Sequence, residues 1–142
     1  KHIFYCSLVC KAKMDLVFVV DASSSVGRKN FPRLIGFLSK LISTFTISPR
    51  LVKVGIVFYS KKGVKITIPL NRYSTLSRLR TVMPRVPYLG GNPATAYALE
   101  IAKNRLFARS SRKKTLVVIT SDKKVDRDKV LRPIKGNGLC KT

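Results

Sequence analysis

Hydrophobic and polar positions along the chain alternate between two periods, and that alternation predicts most of its elements. Leu16 to Val20 is an unbroken apolar run that ends on Asp21-Ala22-Ser23-Ser24-Ser25. A short run rich in Val and Phe, closed by a polar loop, predicts a strand buried on both faces, as in a parallel sheet covered by helices. Phe31, Leu34, Ile35, Leu38, Leu41, Ile42 and Phe45 then recur at helical spacing and predict one amphipathic helix. Asn30 is placed to cap that helix, Pro32 is tolerated in its first turn, and Ser48-Pro49 closes the region. Leu51 to Ser60 predicts a second buried strand. Val64 to Ile68 alternates apolar and polar after a Lys-Lys-Gly turn, which predicts an antiparallel partner at the sheet edge. Ser74 to Val82 predicts a short basic helix, and Pro84, Pro87 and Gly90-Gly91 a long loop. Leu99, Ala102 and Leu106 mark the buried face of a further helix. Arg109 to Lys114 reads as an exposed basic connector, Thr115 to Thr120 as a third buried strand, and Val125 to Ile134 as a short helix.

Strands alternating with helices give an α/β class: a mostly parallel sheet covered by helices, with one antiparallel edge strand. In such sheets ligands bind at the carboxyl ends of the strands. The loop after the first strand falls there, and its chemistry is legible. Asp21, Ser23 and Ser25 offer a carboxylate and two hydroxyls at alternate positions, all hard oxygen donors suited to Mg²⁺ or Mn²⁺ rather than zinc or copper. The same residues also suit a plain turn that caps the next helix.

The strand and loop together, DLVFVVDASSSVG, resemble the first metal-site motif of the von Willebrand factor type A domain family, which includes integrin inserted domains and matrilins. KVGIVFYS, the Gly90-Gly91 pair with its helix, and TLVVIT strengthen the resemblance, which runs from about Asp15 to the end of the chain. It implies a doubly wound fold, a secreted matrix location, a divalent-metal adhesion site and protein binding without catalysis, with collagen as one such partner. It also implies metal contributions from a threonine and an aspartate in two later loops. The chain departs from the pattern at both. Pro93 stands at the first threonine, Thr95 matches the second, and Ser121-Asp122 puts the aspartate one residue late. The implied ligand set is therefore Asp21, Ser23 and Ser25, with Thr95 and Asp122 as weaker contributors. A complete member would add two strands and a helix after this point. The domain reads as residues 15–142, short at its C-terminal end and correspondingly less stable or completed by a partner, after a lead-in of residues 1–14 that opens on Lys1 and reads as a processed end.

Charge changes this picture. The 142 residues carry 29 Lys and Arg against six Asp and Glu, a net charge of +23, so salt-sensitive attraction to polyanions is expected. Candidate contacts are Lys61, Lys62 and Lys65; Arg109, Arg112, Lys113 and Lys114; and Lys123, Lys124 and Arg127. A sulfated glycosaminoglycan is the natural polyanion for a secreted module, and nucleic acid the alternative, although no RNP-type aromatic signature or zinc finger is present. Cys6, Cys10 and Cys140 lie near the two ends. Chain ends are often close, so Cys140 bridged to Cys6 or to Cys10 is one arrangement, as in matrix members of the family, and three reduced thiols another. No apolar run reaches the ~18 residues of a membrane span. Catalysis is disfavoured: His2 is the single histidine, no Ser-His-Asp set exists, and Ala22-Ser23 offers no second carboxylate for an aspartyl nucleophile.

Overall fold

A computed structural model of the chain describes residues 13–121. The expected positions of Val125 to Ile134, Asp122, Lys123, Lys124, Arg127 and the three cysteines lie outside the described residues. The first strand, β1 (Met14–Asp21), is buried at all eight positions and begins one residue earlier than the lead-in boundary implies. It pairs in parallel with β2 (Val52–Tyr59), Val17 opposite Gly55 and Asp21 opposite Tyr59. On its other side it pairs in parallel with β4 (Lys113–Ile119), Asp15 opposite Lys114. The edge strand β3 (Lys65–Ile68) runs antiparallel to β2, giving the order β3-β2-β1-β4.

Alternation of side chains across β1 sorts the core into two layers. Leu16, Phe18 and Val20 meet Phe31, Ile35, Leu38 and Ile42 of helix α1 (Phe31–Ile42) and Leu79 of helix α2 (Leu76–Val82). Val17 and Val19 face the opposite way, toward Ala98 and Ile101 of helix α3 (Thr95–Ile101) and the π-helical turn Ala102–Leu106 that follows it. The doubly wound expectation therefore holds, with one helical layer on each face.

Local chemistry moves several boundaries. Helix α1 stops at Ile42, short of Phe45 and Ser48-Pro49. The hydroxyls of Ser43 and Thr44 donate to the carbonyls of Lys40 (2.6 Å) and Leu41 (2.7 Å), which satisfies the last turn without further helix. Phe45 still packs on the core from beyond the helix end. Asn30 occupies the capping position but does not cap. Its backbone is already helical (φ −88°, ψ −20°), and its amide donates backward to the Val26 carbonyl at 3.1 Å. Helix α2 begins at Leu76 rather than Ser74, and Thr75 caps it by accepting the Arg78 N–H at 3.4 Å. Met83–Arg85, expected as loop because of Pro84, is a 3₁₀ turn that buries Met83 completely. On α3 the buried face is Thr95, Ala98 and Ile101, continued by Ala102 and Leu106, while Leu99 is only half-buried. The wider π turn, closed by the Phe107 N–H on the Ala102 carbonyl at 3.1 Å, brings both Leu106 and Phe107 onto the sheet. Strand β4 begins at Lys113, before the expected Thr115, and is half-buried rather than fully buried. Among the described residues no strand flanks its outer edge.

Gly55 lies where the π-helical turn packs tightly on the sheet. A Cβ there would stand 2.9 Å from Leu106 Cδ2 and 3.3 Å from the Ile68 carbonyl oxygen. Gly55→Ala is expected to destabilise the fold by roughly 1–3 kcal/mol through overpacking. A urea midpoint unchanged from the wild type would contradict that close contact.

Candidate functional site

The loops that leave β1, β2 and β4 meet at the carboxyl edge of the sheet, and backbone hydrogen bonds tie them together. The Ala22 N–H donates to the Tyr59 carbonyl at 2.8 Å, the Gly90 N–H to the Ala22 carbonyl at 2.9 Å, and the Ser24 N–H to the Gly91 carbonyl at 2.8 Å. The Ser60 hydroxyl donates to the Gly90 carbonyl. Gly90 and Gly91 both adopt positive φ (68° and 74°), a conformation that L side chains rarely reach. Their glycines let the incoming loop fold back over Ser60; a Cβ on Gly91 would lie 3.1 Å from that hydroxyl oxygen.

Asp21 sits beneath this knot, fully buried. Its Oδ1 accepts the Ser23 N–H at 2.9 Å. Its Oδ2 accepts the hydroxyls of Thr120 and Ser121, each at 3.3 Å, from the chain leaving β4. Ser23 is also fully buried, and its Oγ accepts the Ser25 N–H at 3.2 Å. Ser25 itself is exposed at the mouth of the site. Asp21, Ser23 and Ser25 are thus brought together as the spacing implied. Thr95 is not part of that group. It is buried on the α3 face, where its Oγ1 shares a 2.8 Å hydrogen bond with the Tyr59 hydroxyl. Thr95→Val, which removes that bond at constant shape, is expected to cost ~1 kcal/mol of folding stability in a denaturant titration.

Thr120 and Ser121 are the site residues that sequence reasoning missed as donors. The signal available was their place immediately after a buried parallel strand, where Ser121 stands in the position expected of a carboxylate. The resulting donor set is one carboxylate and up to four hydroxyls. Among the described residues, no group of three or more His, Cys, Asp or Glu is assembled. Such oxygens fit a hard divalent cation held mainly by neutral donors and do not fit a nitrogen- or sulfur-seeking metal.

The basic candidates divide between the two ends of the sheet. Lys61 and Lys62 follow β2 at the carboxyl edge, and Lys65 opens β3 beside them, where its Nζ donates to the Tyr97 hydroxyl at 3.0 Å and lies 5.2 Å from that ring's centre. Arg109, Arg112, Lys113 and Lys114 lie at the opposite end, before and within the start of β4. Arg112 is not an open surface base: its Nη1 lies 3.3 Å from Asp15 Oδ1, and its Nη2 donates to the Arg50 carbonyl at 3.1 Å and to the Leu51 carbonyl. With Asp15 and Asp21 both buried, Glu100 is the exposed acid among the described residues.

A mostly parallel sheet covered on both faces, with polar loops gathered at its carboxyl edge, defines an open α/β domain, the class that places ligands at that edge. Residues 15–138 match the von Willebrand factor type A domain, and the chain belongs to that family. It is 40% identical over 117 residues to the human collagen alpha-1(XXI) chain, covering 81% of this chain and 12% of that protein. It is 31% identical over 123 residues to human vitrin, covering 85% of this chain and 18% of vitrin. Among solved structures, proximal thread matrix protein 1 from the mussel byssus, described with a zinc-occupied MIDAS motif, superposes with a TM-score of 0.69 at 23% identity, over 77% of this chain and 28% of that one. The chain spans less than a fifth of the length of either human relative, so it corresponds to one module of such proteins.

Proposed function

We propose that this domain is an extracellular, non-catalytic adhesion module that binds matrix proteins through the carboxyl edge of its sheet. The observation that carries the reading is the buried Asp21 carboxylate at the carboxyl end of β1, which accepts the Ser23 N–H and the hydroxyls of Thr120 and Ser121, with Ser25 at the mouth. Asp21, Ser23 and Ser25 would hold Mg²⁺ or Mn²⁺. Bound there, the ion supplies an open coordination position and net positive charge for an Asp or Glu of the partner. Asp21 provides the anchoring charge, Ser23 fixes the loop through the Ser25 N–H, and Thr120 and Ser121 orient the carboxylate from β4. A matrix location and a collagen-type partner agree with relatives that include a collagen chain and with a structural neighbour from the byssal matrix.

A second contact accompanies the first. Lys61, Lys62 and Lys65 flank the same edge, and no described acid on the surface other than Glu100 offsets them. A sulfated glycosaminoglycan would be held there by charge without the ion. Nucleic acid shares that chemistry and is the intracellular alternative.

Binding to immobilised fibrillar collagen, compared in Mn²⁺ and in chelator, tests the adhesion reading; binding that chelator leaves unchanged would remove the metal from the mechanism. Heparin tests the second contact. For about three released counterions, one per lysine, affinity is expected to fall roughly 60-fold between ~50 and ~200 mM salt, in wild type and Asp21→Asn alike. A flat salt response would eliminate the charge-driven contact.

A further inference from the structure

Helix α1 carries a glycine that the fold does not require. Gly36 lies mid-helix, where glycine is the least favourable residue after proline. It is exposed, and a Cβ built on it would meet nothing within 4 Å. The space above it is a groove of about 490 Å³ between α1 and the segment that continues α2. Its floor is apolar: Phe31, Ile35 and Met83 are buried from water in the core below, and Val86 and Tyr88 form the far wall. Phe31 and Tyr88 hold that wall together, their ring centres 5.8 Å apart.

The rim is cationic. Arg28 stands with its guanidinium carbon 5.0 Å from the centre of the Tyr88 ring, and Arg80 of α2 is exposed on the rim. No Asp or Glu lines the groove. Stacking on the ring restrains the Arg28 guanidinium, and its N–H edge matches a carboxylate in bidentate geometry. An apolar floor beneath paired arginines selects a ligand with a large apolar anchor between carboxylates. A sulfated sugar would leave the floor unused. A second copy of this chain would bring a like-charged surface of net +23 against the rim.

We propose that the α1–α2 groove is a second docking site, separate from the Asp21 loop, for an acidic segment of a partner protein that inserts one aromatic or aliphatic side chain above Gly36. The occupant sits in the space that a larger residue at position 36 would fill, and its carboxylates meet Arg28 and Arg80.

Gly36→Leu isolates this site. It replaces glycine with a better helix former in open space and leaves the charge untouched, so the fold is retained while the groove is filled. A short fluorescein-labelled peptide with a Phe-Leu centre flanked by glutamates is titrated with the chain in chelator at physiological salt and followed by anisotropy. Saturable binding is expected for the wild type, weakened at least ~10-fold by Gly36→Leu and similarly by combined Arg28→Gln and Arg80→Gln. The glutamine version of the peptide should bind correspondingly less. Thermal melts confirm that the variants fold, and Gly36→Ala provides a smaller filling with an intermediate effect. Absence of saturable binding overturns the proposal. So does equal affinity for Gly36→Leu, which would mark general adsorption to a basic surface. A concentration-dependent dimer that Gly36→Leu dissociates would also overturn it, by assigning the groove to a second copy. Chelator in every arm keeps the outcome independent of the metal.

Discussion

Asp21→Asn is expected to abolish the rise in melting temperature that Mn²⁺ or Mg²⁺ gives the wild type, while leaving the metal-free melting temperature close to that of the wild type. Asparagine keeps the acceptor that Oδ1 presents to the Ser23 N–H. Its amide replaces Oδ2, and the hydroxyls of Thr120 and Ser121 rotate to accept where they had donated. What it removes is the negative charge, the single one in the donor set. Alanine is the poorer probe, because it would strip an acceptor from three donors at once and weaken the fold by itself. A ligand that binds only the folded chain stabilises it by RT ln(1 + [L]/Kd), which at tenfold excess over Kd is ~1.4 kcal/mol. For a domain of this size that corresponds to roughly 3–6 °C. An equal rise in both proteins would place the ion elsewhere. No rise in either would leave the loop as a structural turn and the basic surface as the working part.

Arg112→Ala carries the second large effect, at the other end of the sheet. Asp15 is 4% exposed at the start of β1, and the Arg112 guanidinium is the charge beside it, its side chain 20% exposed. Neither Asp15 Oδ1 nor Arg112 Nη1 makes an aligned hydrogen bond, so their contact is Coulombic, while Nη2 serves the carbonyls of Arg50 and Leu51. Removing the arginine strands a buried carboxylate and takes a donor from the Arg50 carbonyl, while the Leu51 carbonyl keeps the Met14 N–H at 3.2 Å. Breaking such a pair costs ~3–5 kcal/mol, with the lower end expected here because the guanidinium retains some water. The melting temperature should fall by roughly 10 °C or more. Asp15→Asn in the same background should recover most of that loss, since it removes the stranded charge. If Arg112→Ala melts like the wild type, the pair contributes nothing and Arg112 returns to the list of surface bases. Arg112→Lys should fall between, because one ammonium cannot serve a carboxylate and two carbonyls in the way a planar fork does.

The contrast between these two sites explains what was legible in the chain. The Asp21 loop was readable because its donors are local: Asp21, Ser23 and Ser25 lie on one turn, and the apolar run before them marks where that turn emerges. The Asp15–Arg112 pair was not, because its members stand 97 positions apart and meet only through the parallel register that sets Asp15 opposite Lys114. As part of a basic run, Arg112 read as a solvated connector; the strand that begins at Lys113 carries it inward. Thr95 shows the same limit. Its spacing after Gly90-Gly91 matched the second threonine of the family's pair and left it as a weaker contributor to the site, yet the turn of α3 gives its hydroxyl to Tyr59 across the sheet.

Periodicity alone determined the α/β class, the two-faced burial of β1, the antiparallel edge strand and the amphipathic face of α1, because each depends on residues a few positions apart; the doubly wound arrangement came from the family resemblance. Composition alone determined that the chain is strongly basic, since six acids cannot balance 29 bases. Tertiary structure decided which hydroxyls reach Asp21, which bases remain in water, and that an unneeded glycine in α1 opens a groove against α2. Those outcomes depend on strand register and on how loops distant in sequence pack, and the spacing of residues along the chain carries neither.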